Sequence, residues 1–364
     1  MAPLTFGVEF EFCLATLPED AQDPEPYDTR QIYNISDTEA VNTGMHSLNI
    51  MDPILRHHYK KRMQNDIVQK HIAKTLISAG FPAITDEDIR RRHNEALLGG
   101  PEPEHYRSWN ITTDSSIRVP GEDRTPGISE YEWCKVEVIS PVLMFTPQAI
   151  WQVQKVCKLI SRKYRTLTNE WCGLHVHVGQ GSKGLPDYGI KNLAAMIWAF
   201  EDRLDLLHPL HRSNDAACNS LYNSVPLASE LDFETDRPLL LAEQIDRIFE
   251  CNTGDQVIGL VNDECPSYGS AYNFWNLLSQ HSGSSKRTIE FRQHEGTLDP
   301  RRVENWIKVC VGLVEFALKT DSDCMGNFLR LVIDEEDYTV VDMLITIGLQ
   351  RQAVFYERSL GNVF

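Results

Sequence analysis

The chain reads as an α+β protein built on a curved, largely antiparallel β-sheet backed by helices. Three observations predict this. Four short segments, Phe6–Phe12, Lys135–Ser140, Leu174–Gly179 and Thr288–Gln293, alternate apolar and polar residues with the period of two that marks a half-buried strand. Between and after them lie stretches with apolar residues at helical spacing. The strands and helices alternate only loosely, without the regular βαβ rhythm of a parallel sheet, and no internal repeat is evident.

The first strand (FGVEFEF) places Phe6, Val8, Phe10 and Phe12 on one face and Glu9 and Glu11 on the other. A polar stretch from Pro18 to Thr43, rich in Asp, Glu and Pro, reads as an irregular, mobile excursion. A helix then runs roughly from Ile54 to Ala79 with Val68, Ile72 and Leu76 as its stripe, stopped by Gly80 and Pro82. Thr85 with Asp88 three residues on resembles a capping box and opens a second helix, which Gly99-Gly100 ends. Residues of about 19–107 thus form a helical insertion after the first strand, either a wall or lid over a site or a surface decoration.

Trp109–Ile117 predicts a strand and a turn. The strand over 135–140 ends at Pro141, and Thr146-Pro147 supplies N-cap and first-turn residues for a helix buried through Ile150, Val153, Cys157 and Ile160. Further helices are predicted over about 187–207, with Leu193, Ile197, Phe200 and Leu204 inward, and over 238–251. After the last core strand, Pro300 opens a long helix through Val303, Trp306, Cys310, Leu313 and Ala317. A C-terminal helix bearing Leu344, Ile347 and Phe355 lies in a helical extension over 320–364, and the whole of 1–364 reads as one domain.

With 364 residues the chain buries a substantial core without disulfides. A net charge of −17 disfavours a nucleic-acid partner, since phosphate backbones attract basic surfaces. The nine cysteines show no CxxC or finger spacing and read as reduced thiols; with no secretory signal apparent, a cytoplasmic location is expected. Cys172, near the strand at 174–179, reads as either a reactive thiol or a small buried residue. No run of about 18 apolar residues exists to span a membrane.

The polar faces carry the chemistry. Glu9 and Glu11 on one strand, Glu137 on the next, His175 and His177 on the third, and Glu290 and Arg292 on the last would converge if the strands share a sheet. Like charges at about 4 Å repel by roughly 4 kcal/mol per pair at an effective dielectric near 20, so cations are needed between them. Oxygen-rich ligand sets suit hard ions, Mg²⁺ or Mn²⁺. An HxH strand pair also suits zinc, and Arg292 fits either a phosphate grip or a salt bridge to the glutamates. The GQGSKG stretch offers backbone N–H groups and Lys183 to a phosphate, or serves as a simple connection.

The combination GVEFE, TDSSI, EVISP, GLHVHVG and TIEFRQHEGTLD resembles the amidoligase family, part of the carboxylate–amine ligase group that includes glutamine synthetase and glutamate–cysteine ligase. The resemblance covers the first strand and most of about 107–310. It implies a glutamine synthetase-like catalytic sheet, ATP, and two or three divalent ions held between phosphates and carboxylates. By that resemblance Glu9, Glu11, Glu137, His175 and Glu290 bind metal, His177 lies on the nucleotide side and Arg292 contacts the transferring phosphate; Lys183 is a nucleotide-binding candidate from the GQGSKG stretch alone. Asp114 resembles an ammonia-binding aspartate, although its segment follows the ExE strand and Ser115 replaces a glycine. Asn273 resembles a family position near substrate or nucleotide, Arg212 and Asn214 match a substrate-facing segment, and the base that takes the amine proton is Asp114 or, from its position just beyond the last strand's Glu290 and Arg292, Glu295. The implied reaction is ATP-dependent amide formation through an acyl phosphate, acting on a small carboxylic acid and an amine or on a peptide or protein. The alternatives are a zinc hydrolase using the HxH strand and a noncatalytic nucleotide- or peptide-binding relative.

Overall fold

The computed structural model describes residues 2–18, 21–35, 53–97, 106–121, 131–213, 218–222, 225–262, 269–279 and 286–360. Its strands are β1 (Thr5–Pro18), β2 (Tyr33–Ile35), β3 (Ala83–Thr85), β4 (Trp109–Thr112), β5 (Glu132–Ile139), β6 (Leu143–Met144), β7 (Thr166–Leu167), β8 (Gly173–Gly179), β9 (Tyr272–Asn273) and β10 (Thr288–Glu295). They form one sheet in the order β3-β4-β5-β1-β8-β10-β9, with β2, β6 and β7 paired to β1. The pairs around the centre, β5–β1, β1–β8 and β8–β10, are antiparallel; β1–β2 and β3–β4 are parallel. The expected α+β class and largely antiparallel sheet are therefore present.

The apolar face assigned from the alternation is the buried one: Phe6, Val8, Phe10, Phe12, Val136, Val138, Leu174, Val176, Val178, Ile289 and Phe291 all belong to the main core. Eleven α-helices are present among the described residues. They are α1 (Pro53–Ser78), α2 (Asp86–Leu97), α3 (Pro147–Lys163), α4 (Asp187–Asp205), α5 (Leu210–Ser213), α6 (Leu241–Glu250), α7 (Gly254–Val261), α8 (Pro300–Lys319), α9 (Ser322–Val332), α10 (Val340–Thr346) and α11 (Gln350–Leu360). α8 packs against α3, α4 and β8. Thr146 caps α3 by accepting from the Ala149 amide, with Pro147 in the first turn. Thr85 and Asp88 bond reciprocally at the start of α2.

β1 is longer than the alternation indicated. Beyond Phe12 its second face turns apolar, and Cys13, Ala15 and Leu17 join Ile117, Tyr131, Trp133 and Cys172 in a small second core. With both faces apolar the period-two signal disappears although the strand continues. Cys172 is fully buried there, its Sγ 3.4 Å from Asn169 Oδ1.

The stretch expected to be irregular needs correction over its described part. β2 lies parallel to β1, and the buried Arg165 guanidinium binds Asp23 Oδ1 at 2.7 Å and the carbonyls of Glu25 and Asp28 at 2.8 and 2.6 Å. A distant arginine orders a segment whose composition alone reads as loop; residues 36–43 lie outside the described residues, as do Gly99-Gly100. Helix α1 sits on β3, β4 and β5, and Val68, Ile72 and Leu76 enter the main core. The single helix expected near the C-terminus is instead three, α9 to α11. Gly348, at φ +85, breaks α10 from α11 in a left-handed conformation suited to glycine.

Candidate active site

On the open face of the sheet, strand register brings the polar residues together. Glu9 sits opposite His175, Glu11 opposite Glu137, and Glu290 opposite His177. Glu9, Glu11, Glu137, His175, His177 and Glu290 are only 2–7% exposed, so this is a buried polar cluster and not a solvated strand face.

Glu9 lies at the centre. Its Oε1 is 3.0 Å from His177 Nε2 and 3.2 Å from Lys286 Nζ, while its Oε2 is 3.3 Å from His175 Nδ1. Glu290 Oε1 is 2.7 Å from Arg292 Nη1, which also lies 3.4 Å from His175 Nδ1. Glu290 Oε2 accepts from Asn273 Nδ2 at 3.1 Å. Glu11 Oε2 accepts the Gly173 amide at 2.6 Å, whereas its Oε1 is buried with no hydrogen-bond partner. A side chain at Gly173 would begin 2.6 Å from His175 Nε2, so glycine is required for this approach.

The carboxylates differ in proton affinity according to their neighbours. Burial pushes the Glu9 value up, but His177, Lys286 and the hydrogen bonds from both imidazoles outweigh it and hold Glu9 well below the usual range. Burial acts likewise on Glu290, and Arg292 and His177 override it, again downward. Glu11 is raised, chiefly by burial, which His175 only partly offsets. Glu137 is raised well above the ordinary value by burial and by Glu9, Glu11 and Asp114. One side of the cluster is thus balanced by cations of the protein, and the other is short of positive charge.

Among the described residues, three overlapping groups have donor atoms within 4.8 Å of one another: Glu9–His177–Glu290, Glu9–Glu137–His175 and Glu11–Asp114–Glu137. Glu9 links the first two and Glu137 the last two. The unpartnered Oε1 of Glu11 and the carboxylate-rich third group fit a hard divalent cation. The two imidazoles fall in different groups.

The remaining predicted residues are distributed as follows. Asp114 reaches the third group, its Oδ1 accepting the Ser116 amide at 2.6 Å in a local turn. Asn273 touches Glu290 as described. Arg212 is buried behind β10, where Nη2 donates to the Arg292 carbonyl at 2.8 Å and Nε to the Gln293 carbonyl at 3.3 Å. This is the bulge at which the β10–β8 register shifts. Glu295 is paired with Arg302 and belongs to none of the three groups. Lys183 is exposed in a turn set by Gly181 and Gly184 at φ +73 and +72. Asn214 lies outside the described residues.

A cavity of about 220 Å³ adjoins the cluster, lined among others by Gly7, Glu9, Tyr106, Val142, His177 and Lys286. Lys286 is the residue that sequence reasoning missed. The signal was present: 286, 288, 290 and 292 share parity, so extending the alternation of the last strand back by two residues puts Lys286 on the same face as Glu290.

No helix among the described residues is long and apolar enough to cross a membrane. No curated protein matches the chain in sequence. The family described as "putative amidoligase enzyme" matches residues 2–314. With the motif strands inside that span and their acidic and imidazole groups converging on one buried face, the chain belongs to the amidoligase family.

Proposed function

We infer that the protein is an ATP-dependent carboxylate–amine ligase whose sheet is a glutamine synthetase-like catalytic sheet. The observation that carries this reading is the linked set of three donor groups, with Glu9 and Glu137 each shared by two of them. Carboxylates shared between groups suit two or three Mg²⁺ or Mn²⁺ ions, which Glu9, Glu11, Glu137, His175 and Glu290 would hold beside the nucleotide-facing His177. When bound, such ions neutralise phosphate charge and orient the reacting oxygens.

The chain's own residues then have distinct tasks. Lys286, between the cavity and Glu9, is placed to grip a nucleotide phosphate, the role the sequence assigned to Lys183. Arg292 presents its guanidinium on the cluster side and stabilises the phosphoryl group as it moves. A substrate carboxylate oxygen attacks the γ-phosphorus of ATP, the bond to ADP breaks, and an acyl phosphate forms. An amine then attacks the acyl carbon, phosphate leaves, and Asp114 takes the amine proton. The substrates are a carboxylic acid and an amine, in a cytoplasmic setting.

A zinc hydrolase of the two-histidine, one-carboxylate kind needs both imidazoles on one ion. The separate grouping of His175 and His177 favours the ligase over it. The test is ADP release from Mg²⁺-ATP across a panel of acids and amines, with hydroxylamine present to trap an acyl phosphate as a hydroxamate. Turnover requires ATP and is lost in Glu11→Ala; an equal rate in that variant ends the assignment.

A further inference from the structure

Helix α3 carries a feature that the catalytic reading does not use. Past its first turn, its only exposed residues are Trp151, Lys155, Lys158 and Arg162. At about 100° per residue these four fall within roughly 60° of each other, opposite the buried Val153, Val156, Cys157 and Ile160. The helix contains no acidic residue, in a chain with 52 Asp and Glu against 35 Lys and Arg. Among the described residues, Lys155, Lys158 and Arg162 have no carboxylate within ion-pair distance. Attraction to the helix C-terminus accounts for Arg162 and Lys163 in the last turn, but not for Lys155 and Lys158 further back.

Two concavities, the first shallow and open, adjoin this stripe. One, of about 530 Å³, is lined by Lys155, Lys158, Leu159, Arg162 and Lys163. The other, of about 470 Å³, lies beside Phe145, Ile150 and Trp151, with Lys308 and its ion-pair partner Glu304 on its wall. Phe145 and Trp151 are 37% and 48% exposed, and Val142 and Met144 of the adjoining segment are 58% and 46% exposed. Val142 also lines the cavity beside the catalytic cluster. The apolar end of the stripe therefore continues toward the site.

We propose that the α3 stripe is a docking surface for an acidic polypeptide segment bearing one large apolar side chain. The cations face its carboxylates, and the Phe145–Trp151 groove takes the apolar anchor. From Trp151 to Arg162 the helix rises about 16 Å, the length of roughly five extended residues. A short acidic peptide fits this span. A long polyphosphate chain or an anionic membrane would meet the net charge of −17 outside it, and a phosphate chain has no group for the apolar groove.

The proposal goes beyond the ligase reaction and is tested without turnover. Fluorescein-labelled EEEFEEE, EEESEEE and KKKFKKK peptides are titrated with the full chain by fluorescence anisotropy at low and high salt. EEEFEEE binds and weakens with salt, EEESEEE binds several-fold more weakly, and KKKFKKK is indifferent to changes on α3. Combined Lys155→Glu, Lys158→Glu and Arg162→Glu weakens EEEFEEE at least tenfold, as does the milder triple change to Gln if the Glu variant fails to fold; Trp151→Ser abolishes the preference for Phe over Ser. Unchanged binding in these variants, with unaltered melting temperatures, overturns the proposal. So does tighter binding of a twelve-residue oligothymidylate or of phosphatidylserine vesicles to the same stripe.

Discussion

Replacing Glu137 by glutamine should make the metal-free protein more stable while removing its response to metal. Glu137 sits opposite Glu11, and together with Asp114 their donor atoms lie within 4.8 Å. At that separation and an effective dielectric near 20, two full negative charges repel by about 3–4 kcal/mol. Glu137 sheds part of that repulsion by holding a proton, so the expected gain from glutamine near neutral pH is smaller, about 1–2 kcal/mol. At about 2.1 cal/mol/K per residue, a chain of 364 residues has an unfolding entropy of about 0.76 kcal/mol/K. The melting temperature in EDTA should therefore rise by about 1–3 °C. The pH dependence has a definite sign. A carboxyl whose folded value is raised stabilises the fold fully below its unfolded value and loses that contribution as pH climbs through the folded one. The advantage of Glu137→Gln consequently grows from pH 5 upward. Saturating Mg²⁺ or Mn²⁺ at about 100 Kd should add about 2.7 kcal/mol to the natural protein, or about 3–4 °C, and much less to the variant. Differential scanning fluorimetry with EDTA and with each ion measures both effects. A variant that is less stable in EDTA, yet keeps the full metal-induced gain, would refute the view of this cluster as a cation site held under repulsion.

Gly173→Ala places a methyl 2.6 Å from His175 Nε2 and 3.3 Å from Glu11 Oε2, so the metal-induced rise in melting temperature should shrink severalfold, whereas a full rise would show the imidazole is not needed there. Arg212→Lys removes the paired grip on the β10 carbonyls; kcat should fall about tenfold through misplacement of Arg292, with about 1–3 kcal/mol of stability lost, and an effect on KM alone would mean that Arg212 binds substrate instead. Burial raises Glu201 from 4.5 to about 8, so this carboxyl is neutral in the fold while ionised in the unfolded chain between those values. Wild-type stability should then decline relative to Glu201→Gln from about pH 5 to 8, by on the order of 3 kcal/mol and about 4 °C; a pH-independent difference between the two melting curves would exclude this.

The site was legible in the sequence where one strand's alternation held all the information. Glu9 with Glu11, His175 with His177, and Glu290 with Arg292 each share a face because side chains repeat every two residues, and their apolar neighbours name the opposite face as core. Lys286 obeyed the same parity but lay just outside the segment read as strand. Arg212 is the instructive contrast. Its side chain binds backbone carbonyls 80 residues away in sequence, which no local pattern encodes. The order around Asp23 and Asp28 depends likewise on Arg165, and the end of β1 was hidden because a second core covers the face that elsewhere alternates.

What the sequence determined by itself was therefore the local geometry: which residues alternate, where helices start, and which polar groups each strand carries. Tertiary structure decided how strands were registered, and with that which charges became neighbours. A one-residue slip in the β1–β5 pairing would have turned Glu137 into the apolar core, whereas the observed register sets it against Glu11. The opposite proton affinities of Glu9 and Glu137 follow from which neighbours the fold supplies, His175, His177 and Lys286 beside Glu9 but Glu11 beside Glu137, because electrostatic interactions depend on distance through space and not along the chain.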